Sequence, residues 1–415
     1  MKKRSISIIG AGLAGSEAAL QLSKRGFRVR LFDSKPYNML PAYKQSSFAE
    51  LVCNNSFAPN SNDSPLGLLV SELREMGSEV IKIADKCRVD DHKYLAVDKQ
   101  SFSNLVSKEL VSRNIELVCK NVLCLPKDDI VIIASGPLTN EDLIKDISIR
   151  YNINGFHFSD ASSVIIDISS VDLSNEHISK ISNDLYMISI PENVFSSFFR
   201  MLNSFNETTS LSKEDSVDYE KCLSLERLAN IGERTLRETR FSNPYSNGTS
   251  LLLRRESALD NGFILVGCMT TLRHDEQKRV FSLLPGFEHL KIIKYGRMHR
   301  NTFFDAPKIL DSFFMVRGED LYIVGQLSGT DGYAPAIASG LVAALRIIYG
   351  EHMKPFPRET MIGGLSHYVS NREVVDYQPM CASYSLLYPS KGMDYHTASR
   401  NALLRYKEVI NFDQA

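Results

Sequence analysis

Between Ser5 and Asp33 the chain fits a strand, a glycine loop, a helix and a second strand into about thirty residues, the size of one βαβ unit. Ser5-Ile-Ser-Ile-Ile9 reads as a buried strand, and Gly10-x-Gly12-x-x-Gly15 follows at once. The helix beyond it places Ala14, Ala18, Ala19 and Leu22 on one face and meets Gly26 as its stop. Phe27 to Phe32 forms the next strand, ending in Asp33, eighteen positions after Gly15. The glycine pattern alone is a weak signal. In this setting it predicts a dinucleotide site. Gly10, Gly12 and Gly15, with Ala11, Leu13 and Ala14 between them, let the backbone approach a pyrophosphate at a helix N-terminus. Asp33 is placed to accept a hydrogen bond from a ribose hydroxyl. A tight strand–helix turn with no ligand is the alternative.

Further strands and helices extend this into an α/β fold. Ile130 to Ala134 is a continuous apolar strand of the kind buried in a parallel sheet, and it ends in Ser135-Gly136-Pro137. Leu66–Met76 and Phe102–Asn114 read as helices, whereas 37–66 reads as a long loop. Near the end, Leu321 to Val324 is a strand, and Gly325-Gln326-x-x-Gly329-x-x-Gly332-Tyr333 follows it before a small-residue helix, Ala336 to Ile348. A nucleotide site built from both ends of the chain suits FAD in a domain interrupted by an insertion. The expected cofactor set is Gly10 to Gly15, Asp33, Lys35, Gly136, Gly325, Gln326, Gly332 and Tyr333. The expected architecture is a Rossmann-like FAD-binding domain (1–165 with 290–365), a smaller inserted α/β domain (166–289) and a C-terminal segment (366–415) packed on the first.

The seven cysteines, Cys53, Cys87, Cys119, Cys124, Cys222, Cys268 and Cys381, are widely spaced with no C-x-x-C pair. That argues against a disulfide framework or a zinc site, and no metal is expected. The formal net charge of −1 argues against a strongly cationic nucleic-acid coat protein but leaves room for a local basic patch. No run reaches the ~18 apolar residues of a membrane span, so the expected setting is cytoplasmic, with no membrane partner.

Several segments are more specific than the glycine loop. They include Ala49-Glu-Leu-Val-Cys-Asn-Asn-Ser56, Ala134-Ser-Gly-Pro-Leu-Thr139, Glu276-Gln-Lys-Arg-Val-Phe281, Tyr295-Gly-Arg-Met-His-Arg-Asn-Thr302 and Gly332-Tyr333. On these the chain resembles the folate- and FAD-dependent tRNA (uracil-5-)-methyltransferases over most of its length. The resemblance implies methylenetetrahydrofolate as carbon donor, FAD as carrier, NAD(P)H as reductant and 5-methyluridine in RNA as product, at the T-loop of tRNA. Relatives acting on ribosomal RNA make that the alternative substrate. The chemistry needs a thiolate to add at uracil C6, so that C5 becomes nucleophilic, and a base to remove the C5 proton later. The resemblance places catalytic roles on two cysteines. Cys53 is favoured as the nucleophile and Cys222 as its acid/base or the protector of the flavin adduct, with the roles exchangeable. The other five cysteines read as packing residues. Arg297, His299, Arg300 and Asn301 form a polar cluster after the apparent strand Leu290–Tyr295, and with Arg279 they make the candidate substrate set.

The chain also departs from the family. Leu223-Ser-Leu-Glu226 stands after Cys222 where the family has Met-Pro-Ile-Glu, and 239–248 keeps only a Pro and a Gly of a family motif. Leu40-Pro-Ala-Tyr43 and Asp33-Ser-Lys-Pro36 differ as well. These changes fall where folate or RNA is expected. They keep two other readings open: an NAD(P)H-dependent flavin oxidoreductase, and a non-catalytic RNA-binding flavoprotein. The sequence carries no reading of oligomeric state.

Overall fold

The computed structural model describes residues 5–37, 45–52, 54–113, 115–127, 130–153, 155–161, 163–205, 223–243, 245–256, 261–296, 298–375, 377–388 and 394–412, with backbone alone for 156–161 and 298–300. In chain order the elements begin β1 (Ile6–Ile9), α1 (Leu13–Lys24), β2 (Val29–Asp33), β3 (Ser56–Pro59), α2 (Pro65–Glu75), α3 (Glu79–Lys86), β4 (Tyr94–Ala96), α4 (Lys99–Ser112), β5 (Ile115–Cys119), β6 (Ile130–Ile133), α5 (Glu141–Tyr151) and β7 (Gly155–Ala161). They continue through β8 (Ser163–Asp167), β9 (Ile178–Ser182), β10 (Leu185–Ser189), α6 (Glu192–Asn203), α7 (Leu225–Ile231), α8 (Glu233–Arg240), β11 (Ser250–Arg255), β12 (Gly262–Met269), α9 (His274–Phe281) and β13 (Ile292–Lys294). The chain then returns through β14 (Met298–Phe304), α10 (Ala306–Ile309), β15 (Leu321–Ile323), α11 (Tyr333–Tyr349), α12 (Met361–Tyr368) and α13 (Tyr395–Val409).

Five of these strands form a parallel sheet ordered β15-β6-β1-β2-β5. β1 and β6 are fully buried, as their unbroken Ile/Val runs require of strands covered on both faces. Strand order reverses at β1, between β2 and β6, and this switch point opens a crevice at the C-terminal strand ends. The strands that the sequence shows are there, and β5 joins them at the edge. The loop expected over 37–66 contains β3, and α2 starts at Pro65, where the Ser64 hydroxyl accepts from Gly67 N and Pro fills the first turn.

The middle of the chain makes a six-stranded antiparallel sheet, β13-β8-β12-β11-β10-β9. Its own core holds Phe195, Phe198, Phe241 and Phe281. Phe241 meets the rings of Phe195 and Phe198 edge-on at 5.2 and 5.4 Å. The paired strands β7 and β14 carry the chain out of and back into the first sheet's surroundings. Side chains also join the two sheets' surroundings. Buried Arg254 of β11 meets Asp91 at 2.8 Å, Tyr245 donates its hydroxyl to the same carboxylate at 2.7 Å, and Lys99 meets Glu256 at 2.8 Å. Such a buried pair fixes geometry more surely than it adds stability.

The C-terminal helices are pinned to α2 by one carboxylate. Buried Glu72 accepts from Met361 N (2.7 Å), Ile362 N (2.9 Å) and Ser399 Oγ (2.6 Å). Burial pushes its pKa up to about 7 from 4.5 despite these donors. The unfolded chain therefore releases this proton first as pH rises. The group's contribution to stability is full below about pH 4.5, is lost as pH climbs to about 7, and changes no further above that. The difference is on the order of 3 kcal/mol. Denaturant unfolding of the wild type and Glu72→Gln between pH 5 and 8 should show this slope in the wild type and a flatter profile in the variant.

One helix qualifies the expectation about membranes. Tyr333–His352 has the length and apolar content to cross a bilayer, but 61% of its 18-residue apolar stretch is buried inside the fold. It is the helix that packs along α1.

Candidate functional site

The glycine loop lies at the switch point. Gly10 has φ +101°, and a Cβ there would sit 2.4 Å from the Ala134 carbonyl. Only glycine lets the β1 and β6 loops close this tightly. Gly12 is the N-cap of α1 with no side-chain cap, and a Cβ there would meet nothing within 4 Å. The N-terminus of α1 thus has no side-chain cap, and glycine leaves room beside it, as a pyrophosphate site needs. Asp33, at the end of β2, accepts from Ala11 N at 2.8 Å and Lys35 N at 2.9 Å, and each oxygen keeps a lone pair for a ribose hydroxyl. Gly10, Asp33, Ser34, Lys120, Asn121 and Ser135 help line a cavity of about 100 Å³ beside it. Gly136 follows with φ +78°. Its carbonyl accepts from Thr139 Oγ1 at 2.6 Å.

The second glycine element comes to the same place. Gly325 N donates to Ser339 Oγ at 2.7 Å, and Gln326 reaches Asp331 at 3.1 Å. Gly332 caps α11 without a side-chain bond. A Cβ on Gly340 would lie 2.2 Å from the Ala14 carbonyl, so α1 and α11 touch backbone to backbone. Lys35 is placed differently from the rest of the expected cofactor set. Its ammonium is buried against Glu50 at 2.8 Å and the Ser47 carbonyl at 2.9 Å, where it braces the loop behind the site. The open α1 N-terminus, the Asp33 carboxylate and the uncapped α11 together fit FAD.

A cavity of about 410 Å³ opens between the two sheets. Asn54, Ser56, Phe57 and Tyr94 line it from one side, Arg240, Asn243 and Met269 from the other, with Gly332, Tyr333 and Cys381 also in its wall. Cys53 and Cys222 lie outside the described residues, but their neighbours do not. Asn54 is in the cavity wall, and Leu223 O accepts from Nη2 of the wall residue Arg240 at 3.0 Å. Glu226, four residues after Cys222, is buried and accepts from Thr270 Oγ1 and Thr271 N, and burial raises its pKa. This glutamate of the family motif survives the loss of the proline.

The substrate set divides. Arg297 lies outside the described residues, as do the side chains of His299 and Arg300. Backbone pairing puts His299 opposite Asp160 and Arg300 opposite Ser159 in the β14–β7 ribbon. Asn301 is buried in the same strand, and the next residue, Thr302, donates its N–H to Pro137 O at 2.9 Å, beside the Gly136 turn. Arg279 is exposed on α9, with its guanidinium over the Phe205 ring at 5.5 Å. Among the described residues, Arg279 and Asn301 do not line the cavity. The packing reading holds for Cys87 and Cys268, which are buried; burial pushes the Cys268 thiol up to about 12. It fails for Cys119 and Cys124, which are exposed, Cys119 at the end of edge strand β5. Cys381 is half-buried in the cavity wall. Tyr94, Asn243 and Cys381 carry no local motif and could not be picked from sequence.

A parallel sheet with a glycine loop at its switch point, completed by a second helix N-terminus from the far end of the chain, defines a two-segment FAD-binding protein of the Rossmann type. Residues 5–353 match the family described as Glucose inhibited division protein A. The chain is 35% identical to the methylenetetrahydrofolate--tRNA-(uracil-5-)-methyltransferase TrmFO of Lactobacillus gasseri, over 98% of this chain and 95% of that protein. It is also 35% identical to the protein of the same name from Acetivibrio thermocellus, over 98% of both. Aquifex aeolicus GidA in its form I crystal superposes with a TM-score of 0.74 at 16% identity, covering 99% of this chain and 76% of that one. The chain belongs to the methylenetetrahydrofolate--tRNA-(uracil-5-)-methyltransferase family.

Proposed function

We propose that this protein is a methyltransferase that forms 5-methyluridine in tRNA, at the T-loop uridine, with methylenetetrahydrofolate as carbon donor, NAD(P)H as reductant and the cytoplasm as its setting. The observation that carries the reading is that the residue following each candidate cysteine belongs to, or is bonded to, the wall of one cavity. That cavity also reaches Gly332 and Tyr333, at the flavin end of the fold. FAD bound there supplies the reducing equivalents that turn the transferred carbon into a methyl group.

The protein's own part is thiol and proton chemistry. The Cys53 thiolate adds to C6 of the target uracil, forming a C–S bond and leaving C5 electron-rich. C5 then forms a bond to the one-carbon unit as that unit's bonds to the folate nitrogens break and tetrahydrofolate leaves, the two reducing equivalents completing the methyl group. Cys222 removes the C5 proton, and the C–S bond breaks to return the Cys53 thiolate. Arg297, His299, Arg300 and Asn301, with Arg279 on α9, are the proposed contacts for RNA or folate. Binding through arginines to phosphate should weaken as salt rises.

The test is an assay of the purified flavoprotein with methylenetetrahydrofolate, NADPH and unmodified tRNA, with mass spectrometry of the product. One 5-methyluridine per tRNA in the T-loop is expected. NADPH oxidation that is indifferent to RNA and folate, with no methylated base, would instead make it a flavin oxidoreductase. Methylation of ribosomal RNA in place of tRNA would move the substrate but keep the chemistry.

A further inference from the structure

We propose that Tyr333 is a positioning residue that ties the loop carrying Cys53 to the flavin end of the fold, its hydroxyl clasping both backbone groups of Asn54. Oη accepts from Asn54 N at 3.2 Å and donates to Asn54 O at 3.1 Å. A tyrosine hydroxyl needs only one partner to be satisfied. Here one oxygen holds the N–H and the C=O of the residue bonded to Cys53. The inference rests on the reading of Cys53 as the nucleophile.

The rest of the loop is fastened to match. Upstream, Ala49 N donates to the carbonyl of Ala11, in the middle of the glycine loop, at 2.9 Å, and Ala49 itself has φ +50°. Downstream, Asn54 Oδ1 accepts from Ser56 N at 2.9 Å. Asn55 Nδ2 donates to Val97 O at 3.1 Å and to Arg255 O, in the antiparallel sheet, at 2.8 Å. The loop is thus hung between the two elements expected to hold the flavin, with its far side bonded to the other sheet. Tyr333 is the first residue of α11, and α11 lies on α1 at Gly340. Whatever orders the two helix N-termini therefore orders Asn54, and with it the backbone next to Cys53. The ring is independently packed, 5.7 Å from the Phe57 ring. Removing the hydroxyl alone should leave the fold standing.

The test is Tyr333→Phe as the FAD-bound protein. Hydrogen exchange at the Asn54 amide and iodoacetamide alkylation of Cys53 should each become at least about fivefold faster, as the loss of two hydrogen bonds implies. Flavin stoichiometry and Tm should stay near wild type, and kcat for methylation should fall while KM for tRNA holds. Rates within twofold of wild type overturn the clamp, and so does loss of flavin with Asn54 protection unchanged, which would make Tyr333 a cofactor ligand only. The wild type gives an independent reading. Stripping FAD should speed Asn54 exchange, and equal rates with and without FAD overturn the coupling. A wild type that methylates no RNA would sink the proposed activity yet leave both rate measurements intact.

Discussion

Cys53→Ala and Cys222→Ala should each lower 5-methyluridine formation by about 10³-fold or more while the protein stays yellow. The size of the effect follows from the chemistry: without a thiolate at C6 the pyrimidine C5 remains too poor a nucleophile, and without a base the C5 proton cannot leave. The survival of the flavin follows from the structure. The groups that fit FAD are the loop 10–15, Asp33 and the α11 N-terminus. What the cysteines' neighbours share is the cavity wall. Absorbance spectra and flavin content should therefore match wild type in both variants, and KM for tRNA should change little. The two variants should also differ. If Cys53 is the nucleophile, its loss abolishes any covalent complex with 5-fluorouracil-containing RNA, whereas Cys222→Ala still traps one. The opposite pattern exchanges the roles. Full methylation in both variants would end the thiol mechanism.

How far the sequence reached depends on the range over which each feature is encoded. The switch-point loop was legible because a βαβ unit is local: strand, glycines, helix and Asp33 are contiguous, and the structure adds the Ala11–Asp33 bond at 2.8 Å. The second element at 325–333 was legible for the same reason. The cavity was not, because its wall is assembled across sequence separations such as those between Asn54, Arg240 and Tyr333, and nothing local marks Tyr94 or Asn243 as neighbours. Lys35 belongs to the expected cofactor set, and the sequence does not show its partner fifteen residues away, Glu50, which takes its charge. Cys119 reads as a packing residue because a cysteine without a motif usually is a small buried hydrophobe. β5 is an edge strand, and its last residue faces outward. The Glu72 clamp joins residues 289 and more apart and has no sequence signature at all.

Gly340→Ala should weaken FAD binding by about tenfold or more, although residue 340 lies two turns of helix from the site. A Cβ there would stand 2.2 Å from Ala14 O, 2.9 Å from Ala14 C and 3.0 Å from Ala14 Cα. All three are backbone atoms, so no rotamer change relieves the clash and α1 and α11 must move apart. Interiors are too closely packed to absorb that locally, and overpacking of this kind typically costs about 1–3 kcal/mol. The displacement bears directly on the cofactor, because Ala14 sits in the first turn of α1 and a Cβ added at Gly325 would stand 3.4 Å from the Ala14 Cβ. The two helix N-termini that converge on the nucleotide would no longer hold their spacing, and the α11 end also carries Tyr333. Fluorescence titration of the apo-protein with FAD reads the affinity, and thermal unfolding with and without FAD separates it from a general loss of stability. Gly248→Ala is the control. That glycine is exposed, and an added Cβ would meet only Ser246 Oγ at 3.8 Å, so both readings should stay at wild-type values. If Gly340→Ala binds FAD as tightly as Gly248→Ala, the helix pair can part without disturbing the site, and its close contact serves packing alone.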